Sequence, residues 1–314
     1  MVVDPSGRLR YAAGNPALPL YLRSSAKPLQ AIPLVESGGA DRFDLTEREL
    51  AVICGSHSGE PMHLEAVRAI LAKAGLDEGM LQCGAHPPLD AAQAAVLIRT
   101  GQPPQPIHNN CSGKHAGMLA ACRFRDWPVD SYLDPRHPLQ RNIAEIVGAF
   151  CGEPADDIPL GIDGCGVPTF HVTVHAVGRA FARLSDPSGL PERQAGAVRR
   201  ITRAMAAHPA MMSGTGRLCA ALMTTAGDRL FCKTGGEAVF GIGVPALGWG
   251  IGIKIEDGGN RGMGAVAVEA LRQLGVLTAA DLAAFAPQHH PVVRNHRGRE
   301  VGEMRAVFGL EEVS

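Results

Sequence analysis

The chain of 314 residues is poor in aromatic side chains, at 4%, and poor in charge bias, with 30 Lys and Arg against 31 Asp and Glu. No basic run or basic helical face stands out, so the electrostatic footprint of a nucleic-acid binder is missing and no nucleic-acid partner is expected. No apolar run approaches the roughly 18 residues needed to span a bilayer, and the N-terminal stretch lacks a charged region followed by an apolar one. No membrane partner and no export signal are therefore expected, which makes the cytoplasm the expected address. The eight cysteines, at 54, 83, 111, 122, 151, 165, 219 and 232, lack the spacing of a disulfide scaffold. In a reducing compartment most of them read as thiols packed like small apolar groups. Internal repeats and low-complexity tracts are absent too.

What is present is an apolar fraction of 46% and 38 glycines, enough for a sizeable core with close helix packing and many tight turns. "VVDPSGRLRYAAG" reads as a hairpin turning at Asp4-Pro5-Ser6-Gly7, in need of a sheet to join. A helix is predicted from Ser25 to Glu36, with Pro28 tolerable in its first turn, Pro33 kinking it and Gly38-Gly39 ending it. Thr46 with Glu49 forms a capping-box pattern, and Leu64, Val67, Leu71 and Ala74 recur at helical spacing. Further helices are predicted over about 89–99, 113–124, 137–150 and 191–207. After Gly214 come β-prone runs, "RLFCKTG", "AVFGIGV" and "LGWGIGIKIEDGG", and then a helix, "RGMGAVAVEALRQLGV". This order predicts an α+β chain forming a single domain over 1–314. Its sheet is built from both chain ends (about 1–35 and 210–314), with a helical lobe (about 36–209) inserted between them.

Ser24 and Lys27 lie three apart, on one face of that first helix. A serine hydroxyl attacks poorly until a group accepts its proton, and a lysine accepts one only if burial or a nearby cation lowers its pKa from about 10.4 by several units. Alone, such a pair is a weak signal and reads first as a solvated surface feature. Lys233-Thr234-Gly235 adds weight, because Ser-x-x-Lys early with Lys-Thr-Gly late on a strand is the order of serine β-lactamases and penicillin-binding proteins. Their intervening Ser-Asp-Asn element has no literal match, but "CGSHSGE" offers Ser56 and Ser58 in a glycine-flanked loop after a helix.

In "HNNCSGKHAGM", Cys111, Lys114 and His115 open a predicted helix, where free N–H groups and the positive dipole end favour anions and a thiolate. The bland alternative is a glycine-containing helix start with a capping serine. "GIDGCGVPTF" sets Asp163 and Cys165 in a Gly-rich turn, which is also a common structural device. The cysteine spacing is not a zinc signature, and lysine ligates a metal only when neutral, so the residues alone do not propose a metal.

Taken together, "RSSAKPLQA", "CGSHSGEPMH", "HNNCSGKHAGML", "DGCGVPTF" and "CKTGGEAVFG" closely resemble the asparaginase II family of rhizobial-type L-asparaginases, over nearly the whole chain. The resemblance implies a serine β-lactamase-like fold with an antiparallel sheet, a homodimer, and two adjacent Ser-Lys pairs, Ser24 with Lys27 and Ser56 with Lys233. It also implies that Cys111, Lys114 and Cys165 can hold zinc near the substrate, with Asp163 and His115 beside it; such a zinc would act as a Lewis acid on the carbonyl or, the favoured role, as an anchor that shapes the pocket. The family usually carries an additional N-terminal segment, whereas only 23 residues precede Ser24 here, so a sheet strand is expected to be missing or the start trimmed.

The expected reaction is hydrolysis of the side-chain amide of L-asparagine to aspartate and ammonia. Arg23 would bind the α-carboxylate and Asp163 the α-ammonium, with Lys114 and His115 also facing the substrate. Ser24 would attack while Lys27, made less basic by Lys233, takes its proton; Ser56 would pass a proton to the departing ammonia, and backbone N–H groups would hold the oxyanion. The competing readings are a β-lactamase-like or peptidase-like serine amidase and a catalytically silent small-ligand sensor.

Overall fold

A computed structural model describes residues 1–313. Six antiparallel strands form the main sheet, in the order Glu311–Glu312, Leu9–Ala12, Val2–Val3, Trp249–Lys254, Val239–Val244, Phe231–Gly235. Both chain ends therefore meet in one sheet, and the predicted hairpin finds its neighbour in Trp249–Lys254. The glycines that break up the β-prone runs have a packing cause. Gly241 faces Gly252 and Gly243 faces Gly250 in register. A Cβ on Gly250 or Gly252 would collide with the backbone of the helix Val174–Ser185, which lies flat on this face. Any side chain there would lift the helix off the sheet. Phe181 on that helix stacks on Phe231 of the edge strand, with ring centroids 6.1 Å apart.

The helix Lys27–Glu36 is buried from Lys27 to Val35 and is entered through the 3-10 turn Arg23–Ala26. Pro28 sits in its first turn and Pro33 in its interior, as the sequence indicates. Around it pack the helices Glu47–Cys54, Ser112–Phe124, Pro138–Cys151 and Glu192–Ala207. The capping box forms as expected: Thr46 accepts from the Glu49 N–H, and the Glu49 carboxylate accepts from the Thr46 N–H at 2.6 Å.

The stretch 36–209 is not purely helical. Pro168–Thr173 pairs with Leu160–Ile162 on one side and with Pro19–Tyr21 on the other in a second, three-stranded antiparallel sheet. Thr173 ends the last strand and caps the following helix by accepting from the Ala176 N–H. That helix belongs to the sheet layer, so the boundary between sheet and helical parts differs from the one read off the sequence. One continuous apolar cluster joins both layers. The architecture is α+β with antiparallel sheets. Among the described residues no helix is long and apolar enough to cross a membrane.

Candidate active site

Between the edge strand Phe231–Gly235 and the helical layer lies a cavity of about 490 Å3, whose wall includes Arg23, Ser24, Ser56, Asn110, Asp163 and Thr234. Three local devices assemble it. The small sheet brings Arg23 and Asp163 together: the Leu22 N–H donates to Phe170 O, the Arg23 N–H donates to Thr169 Oγ1, and Asp163 follows the strand Leu160–Ile162. Arg23 pays for this placement with a left-handed φ of 50°, uncommon for any residue but glycine or asparagine. Next, the edge strand touches the serine-bearing turn so closely that a Cβ on Gly235 would stand 2.7 Å from Leu22 O. Lastly, Ser56 leaves the helix Glu47–Cys54 through Gly55, where a Cβ would lie 2.8 Å from Met211 O, and its own N–H donates to Met212 O at 2.8 Å.

Lys27 runs beneath the cavity, wholly buried. Its Nζ donates to Gly55 O at 2.7 Å, to Ser56 Oγ at 2.9 Å and, at 3.5 Å, to Asn110 O. The hydrogen bonding thus differs from the expected pairs: Lys27 joins Ser56, while Lys233 Nζ donates to Thr234 O at 2.7 Å. The physical reason is reach. Ser24 sits in the entry turn at the cavity wall, whereas the long Lys27 side chain extends inward under the loop that carries Ser56. Complete burial pushes Lys233 down to about 8; the Cys219 sulfur draws it back up and the Lys27 charge presses it further down. Cys219, itself on the cavity wall, is drawn down to about 6, chiefly by the Cys232 thiol, against its own burial.

Opposite lies a corner built on sulfur. Lys114 Nζ donates to Cys165 Sγ at 2.9 Å. Burial alone would lower the Lys114 pKa, but Cys111, Cys165 and Asp163 outweigh it and the amine is held as ammonium. A hydrogen bond from the Cys165 thiol, helped by Lys27 and Lys114, overcomes burial and holds Cys111 well below the usual thiol range. Burial would raise the Asp163 carboxyl, yet Lys114 and Arg23 together bring it below its ordinary value. Arg23 Nε donates to Asp163 Oδ1 at 2.6 Å, and its Nη1 donates to Glu237 Oε1.

Two sulfurs and one amine converge here, a donor set that suits a soft divalent cation once the amine releases its proton. Among the described residues no three His, Cys, Asp or Glu side chains meet as a metal site, so Lys114 would have to be the third ligand.

Of the residues singled out by sequence, Arg23, Ser24, Ser56, Cys111, Asp163 and Cys165 line the cavity, with Lys27, Lys114 and Lys233 buried directly behind its wall. His115 does not reach the wall. It is fully buried, its Nδ1 bonds the Tyr132 hydroxyl at 2.7 Å, and burial beside Lys114 keeps the ring neutral. The substrate contact expected of His115 is therefore not made. Ser58 also turns away, donating to Glu60 at 2.6 Å. Sequence reasoning missed His57, whose Nδ1 accepts from the Gly59 N–H and whose Nε2 donates to Ser112 Oγ at 2.8 Å, tying the Ser56 loop to the Ser112 helix. It missed Cys219 as well, which has no local pattern around it; Glu237 lies inside a quoted block, but its partner is more than 200 positions away.

No curated protein matches the chain closely enough to stand as a relative. The profile of the family described as L-asparaginase II matches residues 1–306, and by that match the chain belongs to the asparaginase II family.

Proposed function

We propose that the chain is an L-asparaginase that cleaves the side-chain amide of L-asparagine with serine and lysine groups. The observation that carries this is the 2.9 Å bond between Lys27 Nζ and Ser56 Oγ at the floor of a cavity that Ser24 lines. Ser24 attacks the amide carbon. Lys27 is bonded to Ser56, and Lys233, lowered to about 8 by burial, receives the proton leaving Ser24, which then returns through Ser56 to the departing ammonia. The Ser24 N–H, rather than those of Arg23 and Ser25, which donate to Thr169 Oγ1 and Leu22 O, would help to hold the oxyanion. Arg23 takes the α-carboxylate and Asp163 the α-ammonium.

The fold is read as serine β-lactamase-like because the Ser-x-x-Lys helix start abuts an edge strand carrying Lys-Thr-Gly. If zinc binds, Cys111, Lys114 and Cys165 would hold it, and it would supply a fixed positive charge that shapes the pocket. A homodimer, on the resemblance alone, and a cytoplasmic address complete the proposal. Ammonia release from asparagine, abolished in Ser24→Ala, is the test. The same layout favours a second reading, a β-lactamase-like or peptidase-like serine amidase; nitrocefin hydrolysis without asparagine turnover would select it.

A further inference from the structure

The guanidinium assigned above to the substrate carboxylate already holds two carboxylates, and they differ in setting. The Asp163 side chain is 9% exposed, that of Glu237 61%. Displacing Asp163 would strand a buried charge, whereas Glu237 is rehydrated as it leaves, so Glu237 is the partner that can be exchanged cheaply. It occupies the turn joining the edge strand to Val239–Val244. Glu237 and Ala238 there hold φ of 60° and 55°, the left-handed region in which hairpin turns favour glycine or asparagine. The neighbouring Gly236 lets the turn lie directly against the guanidinium: a Cβ would stand 3.3 Å from Arg23 Cζ. Lys254 Nζ fastens the turn by donating to Glu237 O. The turn is thus kept in an unfavourable backbone shape that places one exposed carboxylate on the outer face of Arg23.

We propose that Glu237 is a displaceable counter-ion of Arg23, exchanged for the carboxylate of an incoming ligand, and that it makes the turn 235–239 a selectivity element for carboxylate-bearing amides. The proposal rests on the reading of Arg23 as the carboxylate anchor. A ligand with its own carboxylate replaces what Arg23 loses when Glu237 leaves, whereas a neutral amide gains nothing by opening the pair. Glu237 therefore competes with the carboxylate end of the substrate and does not touch the reacting amide. Removing its charge strengthens carboxylate ligands alone.

Calorimetric titration needs no turnover and so separates this proposal from the assignment of the reaction. The probes are L-aspartate, succinate, which lacks the amino group, and β-alaninamide, which lacks the carboxylate. In Glu237→Gln the Kd for aspartate and for succinate is expected to fall about twofold to fivefold, the scale of a lost exposed ion pair, while β-alaninamide binding stays as in wild type. On an Arg23→Gln background the same change should bring no gain, which excludes a general effect of removing one negative charge. In asparagine turnover the change should appear in KM and not in kcat. Weaker aspartate binding with succinate unaffected would overturn the proposal and give Glu237 to the ammonium group. Equal Kd values in both proteins, or a gain that survives Arg23→Gln, would overturn it too. Absence of ammonia release from asparagine by the wild type would sink the assigned reaction and leave the calorimetric result standing.

Discussion

Lys233 and Lys114 are the same residue type, both fully buried and both behind the wall of one cavity, yet their basicity is shifted in opposite directions. Lys233 donates to a backbone carbonyl, has the charge of Lys27 nearby, and falls to about 8. Lys114 donates to a sulfur, has Cys111, Cys165 and Asp163 around it, and is raised. Burial acts downward on both, so the neighbours decide the outcome. One corner can hold an amine that changes protonation near neutral pH, as proton transfer needs. The other holds a permanent cation or, deprotonated, a ligand.

The largest expected effect breaks the reactive corner. If Ser24 is the nucleophile as proposed, Ser24→Ala should lower kcat for ammonia release by on the order of a thousandfold or more, since the acyl intermediate on that serine can no longer form. Near-normal turnover in this variant, with loss in Ser56→Ala, would move the attack to Ser56. The next effect contrasts the two lysines through stability. Lys114→Met removes the amine bonded to Cys165 and leaves Lys27 as the remaining cation near Cys111, and should cost about 1–3 kcal/mol in urea unfolding. Lys233→Met removes an amine that burial already disfavours as ammonium, so it should abolish turnover while leaving the fold as stable or raising Tm. If both variants lose the same stability, the contrast between the two corners is wrong.

The two corners were not equally legible in the sequence. The Ser24, Lys27 and Lys233 pattern could be read because each motif is local: one helix turn holds the first two, and one strand holds the Lys-Thr-Gly run. The capping box at Thr46 and Glu49 and the glycine-broken strands were readable for the same reason. The three-stranded sheet was not, because its strands are three to six residues long and Tyr21 pairs with His171, 150 positions away in sequence. That sheet is what joins Arg23 to Asp163. The bond from Lys27 to Ser56 was hidden for a related reason, since spacing along a helix reveals which side chains share a face but not how far a long one reaches beneath a neighbouring loop. His115 shows the converse, a polar residue in a functional-looking cluster whose side chain faces Tyr132 in the core.

A change of pH sharpens the contrast further. If Lys233 accepts the proton, kcat should rise about tenfold per unit at low pH and level off above about 8, where the amine is neutral in the folded protein. Stability should carry the same signature. Below about pH 8 Lys233 is protonated in both folded and unfolded chains, and the fold bears the full cost of its burial. Between about 8 and the ordinary lysine value near 10.4, the unfolded chain holds a proton that the folded one has released, so stability rises with pH. Lys114, with its raised pKa, has the opposite sign: its contribution is present below the ordinary lysine pKa and is lost as pH climbs through the folded value. Unfolding free energies measured from pH 7.5 to 10.5 should lose their upward component in Lys233→Met and keep it in Lys114→Met.

The smallest expected effect on rate comes from metal. A divalent cation at Cys111, Lys114 and Cys165 requires Lys114 to shed the proton it donates to Cys165 and the Cys165 thiol to shed the one it shares with Cys111. Zinc added to chelator-treated protein in weak buffer should therefore release protons, detectable with a pH indicator, and raise Tm. Cys165→Ser should reduce both responses. Turnover should change less than about twofold if, as proposed, the proton-transfer groups sit in the other corner and zinc serves as a pocket anchor. A rate that falls to background on chelation and returns with zinc would place the sulfur corner within the chemistry and dissolve the division of labour between the two lysines.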